Sequence, residues 1–94
     1  MRLKPVARKS LSDAVFDQLS QEIVHGRMRP GAPLPSERAL CDMLHVNRGA
    51  VREALKRLSQ AGLITIQHGG GTRVLDFKQT ASLDLLTRLL FRSD

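Results

Sequence analysis

The densest group of side chains suited to chemistry is a set of cations in one predicted helix near the middle of the sequence. This basic set consists of Arg48, Arg52, Lys56 and Arg57, with the single acid Glu53 among them. A guanidinium is a planar fork of donors that matches the O6 and N7 acceptors of guanine, so Arg48 and Arg52 are the strongest candidates for contacts with base edges. A lone surface arginine is usually only solvated, but four cations on one helix favour a polyanionic partner.

The same helix carries the apolar side chains that would anchor it to the rest of the chain. Its apolar stripe consists of Val51, Ala54, Leu55 and Leu58. At about 100° per residue this stripe takes one side of the helix, while Gly49, Arg52 and Lys56 lie on the far side. Arg48 lies at the border between the two. A helix with one aliphatic face and one basic face is suited to docking in the major groove of DNA.

The predicted helix begins at Asn47 and runs to about Ala61, where Gly62 stops it. Asn47 either caps the helix or pairs with adenine, and both roles stay open. Gly49 and Ala50 are small residues that would permit close approach to a duplex. The amide groups at such a helix start also suit a phosphate contact.

A shorter helix is predicted before the basic one, capped by Ser36 and ending near Leu44. Together they form two helices joined by a tight turn. Arg38, in the first turn of the shorter helix, either clamps a phosphate or pairs with Asp42 one turn later, and we expect the phosphate. The residues of this helix that we expect to face inward are Ala39, Leu40, Met43 and Leu44.

Residues 10–35 supply a further helix and a proline-rich connection. Ser10 and Asp13 form a capping box that opens the helix, and Gly26 stops it. Its predicted apolar face consists of Leu11, Val15, Leu19 and Ile23. Residues 27–35 hold three of the four prolines, which exclude helix and predict a turn with at most one short edge strand.

A glycine-rich hairpin is predicted after the basic helix. Strands are expected at residues 63–67 and 72–75, with a turn that begins at His68. Gly69 and Gly70 add no bulk at the tip, which suits a narrow groove, and His68 either donates to a base or phosphate or has no special role. These glycines are not a nucleotide-binding loop, because they join two strands and lack the phosphate-binding pattern. The element order predicts a winged helix-turn-helix, a mainly α fold with a small β-hairpin.

Composition and charge restrict the chain to few functional classes. With 94 residues it forms one domain, and its net charge of +6 and pI near 10.8 favour a nucleic-acid partner. No apolar run is long enough to span a bilayer, so we expect no membrane partner. The single cysteine, Cys41, excludes an intrachain disulfide and suits the cytoplasm. Three Phe without Trp or Tyr give no aromatic platform for single-stranded nucleic acid.

Other kinds of site find no support in the sequence. Cys41 and His45 are spaced four apart, which is how a metal site could begin, but no second pair has ligand spacing. No nucleophile, base and orienting acid form a set, so we expect no enzyme activity, metal or cofactor. A winged helix used for protein–protein contact is the alternative, but such a module would be expected to have lost the basic face.

Several segments resemble the GntR family of bacterial regulators in residue type and order. They are Pro30-Gly31, Leu34 to Leu40, Val46-Asn47-Arg48, Val51 to Leu58 and Gly62-Leu63-Ile64. The resemblance covers roughly residues 10–75, and the segments from Ile66 to Gly69 and from Asp76 to Leu86 narrow it to the FadR subfamily. It implies a transcriptional regulator, expected to be a repressor, that binds a palindromic double-stranded DNA operator as a homodimer.

The resemblance also implies which residues contact the operator. In the helical region the matching positions are Arg38, Asn47, Arg48, Gly49, Ala50 and Arg52. In the wing, which enters the minor groove in FadR-like proteins, they are His68, Gly69 and Gly70. FadR-type sequences have hydroxyl residues where this chain has Gly49 and Ala50, and a lysine where it has Gly70. The operator sequence therefore stays open.

Charge and resemblance together divide the chain into three parts. Residues 1–9, which carry four cations ahead of the first acid, are predicted to be a flexible basic arm, and residues 10–77 the winged DNA-binding domain. Residues 78–94 are expected to form a linker helix that leads to a C-terminal, all-helical effector domain absent from this chain. A small-molecule effector is expected to act only through that domain.

Overall fold

The computed structural model describes residues 2–3, 10–67 and 71–76. Within them lie three helices and two strands: α1 (Leu11–Val24), α2 (Glu37–Leu44), α3 (Arg48–Gln60), β1 (Ile64–Gln67) and β2 (Gly71–Val74). β1 and β2 pair antiparallel, and only residues 45–47 separate α2 from α3. The described residues therefore form the predicted winged helix-turn-helix. Residues 1 and 4–9 of the predicted arm, the predicted wing tip at 68–70 and the predicted linker helix at 78–94 lie outside them.

Each helix begins at the residue whose side chain satisfies its first free N–H groups. Ser10 and Asp13 form a reciprocal capping box on α1, and the Ser36 hydroxyl accepts from the N–H of Ala39 on α2. At α3, Asn47 Oδ1 accepts from the N–H of Ala50 at 2.8 Å. The three predicted helix starts are confirmed. Ser and Asn stabilise a helix more as its N-cap, in extended backbone, than in its interior.

The end of α3 fixes where the hairpin begins. Gly62 adopts a φ of 81°, a left-handed conformation that glycine tolerates best, and its N–H donates to the carbonyl of Ser59. The N–H of Leu63 donates to the carbonyl of Leu58 at 3.0 Å, and both leucine side chains are fully buried. This Schellman motif turns the chain directly from the core helix into β1.

The core lies between α1 and α3, with β1 of the hairpin packed against α3. From α1 it receives Val15, Phe16, Leu19, Ile23 and Val24, and from α3 Val51, Ala54, Leu55 and Leu58. Leu40 of α2, Leu34, Leu63, Ile64 and Val74 complete it. Burial of such a side chain contributes about 1.5–3 kcal/mol, so this largely aliphatic cluster is the main source of stability.

Two side chains predicted to face inward are exposed instead, Leu11 and Met43. Leu11 is the first residue of α1, one turn before the buried face begins at Val15. On α2 the inward arc runs through Leu40, with Cys41 and Leu44 packed against the core. Met43 lies at the outer edge of that arc, which the apolar pattern of α2 alone does not reveal.

The proline-rich connection lies alongside β2 and forms backbone hydrogen bonds with it. Gly31 donates to the carbonyl of Val74 at 2.7 Å, Val74 donates to Ala32, and Leu34 donates to Thr72. A single antiparallel bridge joins this segment to β2 at Pro33, where proline is tolerated because the outer side of the strand has no partner. The predicted edge pairing is thus present only as this isolated bridge and not as a strand, and it ties the chain before α2 to the wing.

Arg57, predicted as part of the basic face, has a structural role. Its guanidinium forms an ion pair with Asp13 of α1 and stacks 4.3 Å from the ring centroid of Phe16. Around the axis of α3, Arg57 lies about 180° from Arg48, on the side that meets α1. Hydrogen bonds with the Ser10 side chain, then with Arg57, lower the pKa of the Asp13 carboxyl below its ordinary value of 3.8.

The lowered pKa of Asp13 predicts a pH-dependent stability. A carboxyl with a depressed pKa in the folded state stabilises it above the ordinary pKa and loses this contribution as the pH falls through the folded-state value. We therefore expect Asp13→Asn to lower the free energy of unfolding at neutral pH, with a deficit that shrinks as the pH falls below 3.8. Urea denaturation followed by circular dichroism measures both values; a deficit that does not change with pH would contradict the assignment.

The cap at Asn47 predicts a second stability effect. Asn47→Ala removes the acceptor for the Ala50 N–H and is expected to lower the free energy of unfolding by about 0.5–2 kcal/mol. Asn47→Asp retains an acceptor at the same position and is the matched control, expected to keep most of the stability. Equal losses in the two variants would mean that the cap does not stabilise α3.

Candidate nucleic-acid interface

The outer face of α3 carries the predicted contact residues. Arg48, Gly49, Arg52 and Lys56 are exposed, while Val51 and its stripe are buried against α1. The side chains of Arg48 and Arg52 are 63% and 61% exposed, although they extend from the first turns of a helix whose opposite face is fully enclosed. The predicted division of α3 into an aliphatic face and a cationic face is confirmed.

The small residues at the start of α3 lie in different environments. Gly49 is exposed, and a methyl group added to it would meet only Asn47 Oδ1 at 3.4 Å, so neither a left-handed backbone nor crowding by another element requires glycine there. Ala50 is 9% exposed and its methyl group is buried, and a contact of Ala50 with DNA stays a prediction. Its position on the helix, about 200° from Arg48, turns the methyl group toward the interior.

Asn47 acts as the cap of α3, which is one of the two roles that the sequence leaves open. Its side-chain oxygen is engaged by the Ala50 N–H, and its own carbonyl accepts from Val51. The residue itself remains exposed at the helix start. Pairing of its amide group with adenine stays a prediction.

A carboxylate from α2 holds the two leading arginines of α3. Glu37 Oε1 lies 3.0 Å from Arg52 Nε and 3.4 Å from Arg48 Nε. Glu37 is the first residue of α2, and its side chain is 34% exposed. The closest approach in each pair is through Nε, so the edge of the guanidinium formed by the two terminal nitrogens faces a different direction. Sequence reasoning missed this contact because the pairs are separated by 11 and 15 positions.

Arg38 follows Glu37 in the first turn of α2 and is exposed. Within the described parts of the chain, neither Arg38 nor Asp42 takes part in an ion pair. The Arg38–Asp42 pair that the sequence left open is therefore not formed. Its contact with a phosphate stays a prediction. The start of α2 thus presents an exposed cation that forms no ion pair among the described residues.

An open groove of about 430 Å³ separates α3 from the hairpin. It is lined by Leu34, Pro35, Ser36, Glu37, Arg52, Leu55, Ile66, Gly71 and Thr72. Ile66 is exposed there although Ile64, two residues earlier in β1, is fully buried, because the strand leaves the core as it approaches the tip. The groove connects the start of α2, the cationic face of α3 and the wing, and the sequence pattern gave no sign of it.

The wing is described up to its last strand pair. Gln67 pairs with Gly71 in register, and Gly71 has a φ of 78° that glycine accommodates without strain. The predicted contact residues His68, Gly69 and Gly70 lie outside the described residues. At the other end of the hairpin, Ile64 and Val74 pair with each other, and both side chains are buried in the core.

Two other features are absent from the described segments. No group of three or more His, Cys, Asp or Glu lies close enough there to hold a metal ion. No helix among them is both long and apolar enough to cross a membrane.

Comparison with known proteins gives the family. The sequence matches the family described as bacterial regulatory proteins, gntR family, over residues 11–74. The HTH-type transcriptional regulator Mce2R of Mycobacterium tuberculosis is 54% identical over 93 residues, which are 99% of this chain and 39% of that protein. The fatty acid metabolism regulator protein of Vibrio cholerae is 40% identical over 84 residues, 87% of this chain and 30% of that protein. The chain thus spans less than half of the length of these relatives.

Solved structures share the architecture. A GntR family transcriptional regulator from Listeria monocytogenes superposes with a TM-score of 0.75 at 23% identity, over 92% of this chain and 74% of that chain. At this identity the similarity establishes a shared fold and nothing more. AraR(DBD), solved in complex with operator ORR3, gives a TM-score of 0.65 at 28% identity, over 78% of this chain and 92% of that one. Since the family match runs from α1 through β2, the chain belongs to the GntR family of bacterial regulatory proteins, and its fatty acid regulator relatives support the FadR subfamily.

Proposed function

We propose that this chain is the sequence-specific, double-stranded-DNA-binding part of a bacterial transcriptional repressor. The observation that carries the proposal is the exposure of Arg48 and Arg52 at the start of α3, a helix whose Val51 and Leu58 are fully buried. A major groove about 12 Å wide admits one α-helix, and the side chains at its N-terminal end are those that reach base edges.

The described geometry supports a division of labour among the contact residues. Arg48 and Arg52 contact guanine, because their fork of donors fits its O6 and N7 atoms. Arg38, unpaired among the described residues, contacts a phosphate next to the groove, and exposed Gly49 lets α3 approach the duplex closely. His68, Gly69 and Gly70, which lie outside the described residues, contact the flanking minor groove, as the resemblance to the family implies.

Relatives support the proposal at two levels. The similar domain of AraR is solved in complex with an operator. It shares 28% sequence identity with this chain, so the similarity includes the sequence as well as the fold. The curated relatives are named as transcriptional regulators, and more than half of their length lies outside the match. The proposed whole protein is a cytoplasmic homodimer that binds a palindromic operator and responds to a metabolite through a C-terminal effector domain.

Selection from random duplexes tests this function directly. The 94-residue chain is expected to enrich one sequence motif that contains guanines and has two-fold symmetry. Its affinity for that motif should fall steeply with salt, as expected when cations displace the ions condensed on phosphates. Binding to all duplexes alike, at any salt concentration, would reject sequence-specific recognition.

Arg52→Ala is predicted to remove specific recognition more than general attraction to DNA. Loss of one bidentate base contact should weaken binding to the selected duplex by about 1–3 kcal/mol and binding to a random duplex by less. Fluorescence anisotropy with both duplexes at one salt concentration measures the ratio.

Arg27→Ala is the matched control for this measurement. Arg27 is 57% exposed and also pairs with a glutamate, Glu22, but it follows α1 and does not belong to the face of α3. We expect it to change the two affinities slightly and equally. If Arg52→Ala also weakened the two duplexes equally, Arg52 would be a phosphate contact and not a base contact.

A further inference from the structure

Glu37 is an unexpected residue on a surface that is proposed to bind a polyanion. It places a negative charge between the two exposed arginines of α3, at the mouth of the groove toward the hairpin. A carboxylate there repels phosphate and reduces the general attraction of the face for DNA. It also lies in the first turn of α2, where an acid interacts favourably with the helix dipole. The dipole alone would be served equally by an acid that does not reach α3.

The contacts of Glu37 go further than a helix-terminal charge requires. Arg48 and Arg52 are four positions apart on α3, and two like charges at that spacing repel each other on a helix. One oxygen, Glu37 Oε1, approaches the Nε atoms of both at 3.4 and 3.0 Å. The Glu37 carboxylate thus accepts a hydrogen bond from Arg52 and forms an ion pair with Arg48, which holds the two long side chains near one another before any ligand is present.

We propose that Glu37 is a positioning residue that sets the sequence specificity of this face. It engages the Nε edge of Arg48 and Arg52 and leaves the edge with the two terminal nitrogens for a guanine. The side chains are then ordered before binding, and the specific complex loses less conformational freedom. At the same time its charge weakens binding to sequences that offer only phosphates, so Glu37 acts on both terms of the specificity ratio.

This inference rests on the proposed function and is tested by the ratio of two affinities, for the selected duplex and for a random duplex. Glu37→Gln keeps the size of the side chain and removes its charge. We expect binding to the random duplex to tighten, binding to the selected duplex to weaken or stay level, and the ratio to fall roughly tenfold, as for the loss of a good base contact. Glu37→Asp keeps the charge at the start of α2 but shortens the reach, and its ratio is expected to fall without tighter binding to the random duplex.

Glu53→Gln is the matched control. Glu53 is exposed on α3 and, among the described residues, forms no ion pair, so the variant makes the same change in net charge without a positioning contact. It should tighten binding to both duplexes by the same factor and leave the ratio unchanged. Circular dichroism of each variant confirms that the helices are retained before the affinities are compared.

The outcomes separate positioning from the other roles of an acid. If Glu37→Gln behaves as Glu53→Gln does, Glu37 is only a surface charge and the inference is overturned. If repeated selection with Glu37→Gln changes the preferred base at one position alone, Glu37 itself contacts a base such as cytosine, which also overturns positioning. If the unmodified chain shows no preference between the two duplexes, the proposed function fails instead, whatever the Glu37 variants do.

Discussion

The burial of one face of α3 against α1 is the constraint on which the rest of the structure depends. Ala54 and Leu58 are fully enclosed at this crossing, and a larger side chain at Ala54 would push the helices apart. Once these residues face inward, the fixed rotation of about 100° per residue places Arg52 on the outside and Arg48 at the border of the buried face. The hydrophobic core therefore determines not only the stability of the fold but also the direction in which its cations point.

The same rotation explains why arginines on one helix have different roles. Arg57 lies on the side of α3 that meets α1, where Asp13 and the ring of Phe16 occupy its guanidinium. Arg52 lies on the outer side and has Glu37 as a partner, in a contact that is open to solvent. Type and number of cations thus say little about function; the element that each one faces decides whether it supports the fold or is offered to a ligand.

Local signals made much of the fold predictable. The caps at Ser10 and Asn47 and the stop at Gly62 depend on neighbouring residues, and periodicity identified the face of α3. Two features that the sequence did not reveal depend on contacts between elements. They are the burial of Ala50 and the contact of Glu37 on α2 with Arg48 and Arg52 on α3. Both depend on how the helices are placed relative to one another, which apolar spacing along a single helix does not specify. The roles predicted for the wing tip concern residues outside those that the structure describes.

The most direct test of the central claim observes the arginine side chains themselves. In the nitrogen–proton spectrum of the 94-residue chain, the Nε–Hε signals of Arg48, Arg52 and Arg57 report on three guanidinium groups of one helix. Titration with the selected duplex is predicted to shift the signals of Arg48 and Arg52, and to leave that of Arg57 in place because it stays paired with Asp13. A shift of the Arg57 signal while those of Arg48 and Arg52 remain unchanged would show that a different face of the molecule meets the DNA.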